Sequence, residues 1–237
     1  MTEEKINPTI VTEEAKKTLA SSIKDPMTYE PGMDQLPSTM LEDVERLMKE
    51  FEEQTYSASD VKAALRKDVL SPHDFGALLS PAARPYLEAM AQKAKAVRDR
   101  YFGNSVALFT PLYLANYCEN YCIYCGFNCH NKIHRARLDL AQMEEEMKAI
   151  AATGLEEILM LTGESSHMSP VSYIGEACKM ARRYFRVVGL EIYPVNQKDY
   201  EYLHQCGCDF VTVFQETYDH DLYGKLHLAG NKRVFPY

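Results

Sequence analysis

The 237-residue sequence predicts an α/β chain in which a helical N-terminal extension precedes a parallel sheet. Two observations carry that reading. From Thr39 to Gly103 the apolar residues recur at helical spacing, and after it short apolar runs of strand length alternate with amphipathic stretches of helix length. Four such strands separated by three helices imply right-handed βαβ units and therefore strands that run in parallel. The change of pattern divides the chain into residues 1–103, an N-terminal arm and helices, and residues 104–237, the sheet-bearing core.

Residues 1 to about 38 are polar and punctuated by Pro8, Pro26, Pro31 and Pro37, which suits an extended arm. From Thr39 to Phe51 the residues Met40, Leu41, Val44, Leu47, Met48 and Phe51 trace one helical face. Ser59-Asp60 reads as a second helix start, and Asp74 to Leu79 as a short helical segment. Ser80-Pro81 reads as an N-cap with proline at the first helical position, opening a helix through Tyr101 that Gly103 stops. Its stripe of Leu87, Met90, Ala94, Val97 and Tyr101 is expected in the core.

The expected strands are Val106–Thr110, Glu157–Thr162, Leu190–Tyr193 and Phe210–Phe214. Between them lie helices over Leu138–Thr153, with Asp139 as the start signal and Gly154 as the stop, Val171–Phe185 and Gln197–Cys206. A further helix is expected over Tyr218–Leu228. Composition narrows the function classes. A net charge of −8, with Lys and Arg interspersed among Asp and Glu, lacks the basic stripe that phosphate neutralisation needs, so nucleic acid is not an expected partner. No apolar run approaches the roughly 20 residues of a membrane span. The start Met1-Thr2-Glu3-Glu4-Lys5 lacks the basic-then-apolar order of a signal peptide, so a cytoplasmic location is expected.

The chemistry is concentrated in Tyr117-Cys118-Glu119-Asn120-Tyr121-Cys122-Ile123-Tyr124-Cys125-Gly126-Phe127. Cys118, Cys122 and Cys125 supply three thiolates from one short loop, enough for three irons of a [4Fe–4S] cube while the fourth iron keeps no protein ligand. An open iron can chelate the amino and carboxylate groups of S-adenosylmethionine (SAM) and pass an electron to its sulfonium. Cys129 and His130 follow closely, so a three-cysteine-plus-one zinc site stays open on spacing alone, although Cys129 is expected outside the cluster's ligands. Disulfides fit poorly, because Cys118 to Cys125 would close very small loops and the seven cysteines are odd in number. Cys178, Cys206 and Cys208 read as ordinary apolar thiols.

The spacing, with Tyr124 before the third cysteine and Gly126-Phe127 after it, resembles the radical SAM superfamily. That resemblance implies a partial TIM-type (β/α) barrel of about six units, of which this chain would hold roughly the first two-thirds, as a truncated or split product. It also gives meaning to two other segments. Leu161-Thr162-Gly163-Glu164 lies where such proteins bind the aminoacyl end of SAM, with Gly163 allowing close approach and Glu164 offering its carboxylate to the ammonium group. A plain strand-to-helix turn is the alternative. Gln215 and Glu216, in Phe214-Gln215-Glu216-Thr217-Tyr218, would face the barrel mouth and meet SAM or an amino-acid substrate; the alternative is N-capping of the next helix by Thr217.

These segments, with Phe102-Gly103-Asn104, Pro111-Leu112-Tyr113-Leu114 and Asn131-Lys132-Ile133, resemble the radical SAM tyrosine lyases over about residues 60 to 237. Asp74–Ala83 looks more like the 2-iminoacetate synthases of thiamine thiazole biosynthesis than like the [FeFe]-hydrogenase maturases that cleave tyrosine. The resemblance implies a [4Fe–4S] cluster and SAM as cofactors and cleavage of the Cα–Cβ bond of L-tyrosine to 2-iminoacetate and p-cresol. It also implies thiazole synthase as a partner and a flavodoxin or ferredoxin as electron donor. A cluster-binding fragment that needs a second polypeptide is the alternative from a different class.

Overall fold

The computed structural model describes residues 39–217 and 219–234. The expected arm over residues 1–38, Tyr218 and the last three residues lie outside them. The described residues form two compact units that meet in sequence between Ala107 and Leu108.

The first unit is helical: α1 (Met40–Glu53), α2 (Ala58–Arg66), α3 (Pro72–Leu79), a 3₁₀ segment (Pro81–Tyr86) and α4 (Leu87–Phe102). Two helix starts differ from expectation. Ser57, rather than Ser59, caps α2, and Asp60 completes the box by accepting from the Ser57 main chain at 2.8 Å. Ser71 caps α3 in the same way, with Asp74 as its reciprocal partner. Lys67 also donates to Asp74 at 2.6 Å and, with Ser71, holds that carboxyl well below the usual carboxylate range.

The long helix expected from Ser80 is divided. The Ser80 hydroxyl donates to the Ala77 carbonyl at 2.7 Å and so finishes α3 instead of starting α4. Pro85 has no N–H to donate and its ring crowds the carbonyl four residues back, so Pro81–Tyr86 winds as 3₁₀ and the α-helix begins at Leu87. Gly103 ends it at φ +60°. The stripe expected in the core is exposed: Leu87 is 60%, Val97 46% and Tyr101 69% accessible, and Met90 alone packs on the small cluster of Val61, Ala77 and Ala83. A helical period shows that a face exists; it does not supply the partner that covers it.

The second unit holds the sheet. Its elements are β1 (Phe109–Ala115), β2 (Tyr121–Cys122), α5 (Leu140–Ala151), β3 (Glu157–Thr162), α6 (Val171–Ala181), β4 (Val187–Glu191), α7 (Gln197–Gln205), β5 (Phe210–Thr212), α8 (His220–Leu226), β6 (His227–Ala229) and α9 (Asn231–Val234). The main sheet runs β1-β3-β4-β5 with every pair parallel, in the register Leu112↔Met160↔Leu190↔Val211. Ile158, Met160, Val188 and Leu190 pack with Met143, Met147, Ile174, Ala177 and Leu203 from the helices to make the core. Cys178, Cys206 and Cys208 are buried within it.

β3 matches its expected span, while three strands are displaced. β1 lies at Phe109–Ala115 rather than Val106–Thr110, and Pro111 is accommodated because β1 is an edge of the sheet. β4 and β5 begin or end earlier than the apolar runs, which continue into the loops at their carboxyl ends. The largest difference is at the far end of the unit. The helix expected through Leu228 stops at Leu226, and His227–Ala229 instead pairs antiparallel with β2, Tyr121 against Ala229 and Cys122 against His227.

Candidate functional site

All three sequence motifs stand at the carboxyl ends of sheet strands, the side on which (β/α) barrels build their sites. The cysteine loop leaves β1 at Ala115 and is gripped on two sides. On one, the Gly163 N–H donates to the Ala115 carbonyl at 3.0 Å and the Glu119 N–H donates to the Glu164 carbonyl at 2.9 Å. A Cβ on Gly163 would stand 2.2 Å from the Tyr117 carbonyl oxygen and 3.1 Å from Cβ of Cys118. Gly163 thus allows close packing of the β3 turn against the cysteine loop.

On the other side lies the β6 segment. The Ile123 N–H donates to the Leu226 carbonyl at 3.0 Å, and the Lys232 N–H donates to Oδ1 of Asn120 at 3.0 Å. Gly230, at φ +87°, packs so tightly that a Cβ there would meet Oδ1 of Asn120 at 2.4 Å and its Cα at 2.7 Å. Within the loop, the Cys125 N–H donates to the Cys122 carbonyl at 3.1 Å, the Cys129 N–H donates to the Asn120 carbonyl at 2.9 Å, and the Phe127 N–H points at Sγ of Cys125 at 3.4 Å.

Cys122 is buried, Cys118 and Cys125 are half-buried, and Cys129 is exposed. Burial pushes the Cys122 thiol up to about 12; the neighbouring Cys118 and Cys125 add to the rise and Lys232 opposes it. Its thiolate is therefore formed by binding a cation, with release of the proton. All seven cysteines are free, so the disulfide alternative falls. Among the described residues no group of three or more His, Cys, Asp and Glu side chains is gathered closely enough to hold a metal ion as it stands. A cubane asks that each of three thiolates reach its own iron, and Cys118, Cys122 and Cys125 on this one loop are the donors it would use. Thr162 adds a sign of a ligand: at the end of β3 its hydroxyl is buried with no hydrogen-bond partner among the described residues.

Glu164 and Glu216 both come near Lys232, a pairing that the sequence did not suggest. The Glu164 carboxylate is buried and accepts from Nδ2 of Asn120 at 2.6 Å; burial raises it, while Asn120, Asn231 and Lys232 pull the other way. Glu216 accepts from Nζ of Lys232 at 2.5 Å. Burial alone would raise the Glu216 carboxyl, but Lys232 and Tyr124 outweigh it and hold it below its usual value. The Lys232 ammonium also sits 4.0 Å from the centre of the Phe214 ring. Gln215 is engaged locally, donating to the Thr217 carbonyl at 2.9 Å. Thr217 is not the helix cap. That role falls to Asp219, whose Oδ1 accepts from the Leu222 N–H at 2.8 Å.

A neutral pair completes the site. Nδ1 of buried His227 faces the Tyr223 carbonyl at 2.8 Å and donates to it, and Nε2 lies 2.7 Å from the Tyr124 hydroxyl. Burial is the leading cause in both, pushing the Tyr124 phenol up and His227 down. Asn120, Tyr124, His227 and Lys232 escaped the sequence reading as site residues, because their roles depend on the pairing of β2 with β6. Among the described residues no helix is long and apolar enough to cross a membrane.

Comparison with known proteins agrees with this arrangement. The family model of the radical SAM superfamily matches residues 112–234. The 2-iminoacetate synthase of Salmonella typhimurium is 41% identical over 179 residues, 76% of this chain and 48% of that protein. The 3-methylornithine synthase of Methanosarcina acetivorans is 34% identical over 68% of this chain and 46% of its own length. The chain thus spans about half the length of the curated relatives it matches. Among solved structures, HydG, a maturase of the [FeFe]-hydrogenase, superposes with a TM-score of 0.74 at 24% identity, covering 83% of this chain and 45% of HydG, which speaks to the fold alone. A loop of three cysteines at the end of the first strand of a parallel sheet, with the family match running from that strand through the segment that closes over the loop, places this chain in the radical SAM superfamily.

Proposed function

We propose that the protein containing this chain is a lyase that breaks the Cα–Cβ bond of L-tyrosine to give 2-iminoacetate and p-cresol. The observation that carries the proposal is the 41% identity to 2-iminoacetate synthases over three-quarters of the chain. Cys118, Cys122 and Cys125 would hold a [4Fe–4S] cluster, whose chemistry when bound is to deliver the electron that splits SAM into methionine and a 5′-deoxyadenosyl radical. The chain's own residues do the rest. Gly163 and Gly230 press the β3 turn and the β6 segment onto the cysteine loop and exclude water from its buried side. Glu164, Gln215 and Glu216, which follow strands β3 and β5, would contact SAM and the substrate amino acid once their present hydrogen bonds are exchanged. Thiazole synthase, as consumer of the hydrolysable iminoacetate, and a flavodoxin or ferredoxin, as reductant, are the partners this reading requires.

In an anaerobic assay of the whole protein with SAM, L-tyrosine and a reductant, p-cresol and 5′-deoxyadenosine are expected to rise together. Deoxyadenosine without p-cresol would overturn the lyase reading while leaving the family intact, and would turn attention to the substrate of the 3-methylornithine synthases. Glu164→Gln supplies a second prediction. The amide can still accept from Asn120, so cluster content should be unchanged, whereas loss of the charge facing an ammonium group should weaken SAM binding by about tenfold. Unaltered SAM affinity by equilibrium dialysis would reduce Glu164 to a brace of the loop.

A further inference from the structure

Arg135 lies on the segment that carries the chain from the cysteine loop back to the sheet, and its partners are unusual for an arginine. Nη1 donates to the main-chain carbonyl of Asn116 at 2.6 Å and to that of Phe127 at 2.9 Å. Nη2 donates to the carbonyl of Asn128 at 2.7 Å and reaches that of Asn131 at 3.4 Å. No carboxylate pairs with it among the described residues. Asn116 stands just before Cys118 and Phe127 just after Cys125, so one half-buried guanidinium joins the two ends of the loop that carries all three cysteines.

The surroundings are keyed to the same closure. The Asn116 N–H donates to the Ala136 carbonyl at 3.1 Å, and Oδ1 of Asn116 accepts from the Ala136 N–H at 2.8 Å. Buried Asn128 donates through Nδ2 to the Cys125 carbonyl at 2.8 Å and accepts at Oδ1 from the N–H groups of His130 and Asn131. These bonds fix the carbonyls that the guanidinium meets. A planar fork of five donors can serve several carbonyls in fixed directions at once, which a lysine ammonium on a flexible stem cannot.

We propose that Arg135 is the positioning residue of the cluster: by tying Asn116 to residues 127–131 it keeps Cys118, Cys122 and Cys125 at the separations that one cube demands. The inference rests on the cluster reading of these cysteines. Groups outside the ligand set act on a metal site by orienting its ligands, and their loss costs about 10–100-fold in affinity.

The test uses anaerobically loaded protein and three variants: Arg135→Leu, Arg135→Lys and, as control, Cys118→Ala. Iron release to a ferrous chelator is expected to be at least about tenfold faster in Arg135→Leu, with intermediate release in Arg135→Lys, which keeps the charge but not the fork. The EPR signal of the reduced cluster should broaden in Arg135→Leu, a change that a loss of global stability alone would not produce. Wild-type release and an unchanged EPR signal in Arg135→Leu would overturn the proposal; if that variant does not fold, wild-type release in Arg135→Lys does so. Retention of a full cluster by Cys118→Ala would instead overturn the cluster reading itself.

Discussion

Cys122→Ala is expected to leave the chain without a cluster, while Cys129→Ala loads normally. Cys122 is the most buried cysteine of the loop, paired through β2 with His227, and burial pushes its thiol up. Removing it would take away one of the three thiolates that the cluster needs and put a methyl group in its place. Cys129 is exposed, and its N–H is used to tie the loop to the Asn120 carbonyl, a bond that alanine keeps. Iron and sulfide per chain after anaerobic reconstitution should fall to background for Cys118→Ala, Cys122→Ala and Cys125→Ala and stay at the wild-type level for Cys129→Ala. Full loading of Cys122→Ala, or loss confined to Cys129→Ala, would refute the ligand assignment.

Gly163→Ala should be nearly as damaging, although it removes no ligand. The added methyl would stand 2.2 Å from the Tyr117 carbonyl oxygen, and backbone cannot swing away as the tip of a side chain can. Either the β3 turn retreats, breaking the bond from the Glu119 N–H to the Glu164 carbonyl, or the cysteine loop is pushed from its place. Overpacking of this kind costs ~3 kcal/mol, equivalent to a loss of cluster affinity on the order of a hundredfold. Gly230→Ala should behave alike from the opposite side, with left-handed strain added to the clash with Asn120. Gly126→Ala is the control, since nothing lies within 4 Å of a Cβ there. Circular dichroism of the cluster-free proteins separates loss of the site from loss of the fold. Wild-type cluster content in Gly163→Ala would mean that the loop is not held as described.

What lay in the sequence were the features governed by neighbours along the chain. Thiolate spacing in Cys118–Cys125 is local, so the cluster motif is legible without a fold. Capping chemistry is local too, and Asp139 and Gly103, the latter at φ +60°, mark their helix ends as read. Apolar runs such as Ile158–Leu161 announce buried strands because a parallel sheet is covered on both faces. Alternation of those runs with helices was enough for the architecture.

Tertiary structure decided everything that depends on partners far apart in sequence. His227–Ala229 carries no strand signal of its own and becomes β6 only because β2, a hundred residues earlier, offers it a free edge. Through that pairing Lys232 and Asn231 arrive beside Asn120, Glu164 and Glu216, and two carboxylates expected to wait for ligands are found already braced by the protein. The exposed stripe of Leu87, Val97 and Tyr101 makes the converse point. Sequence fixes periodicity and local bonding because these act over a few residues, whereas burial, pairing and the charge surrounding a carboxylate are properties of whichever surface the folded chain sets against it.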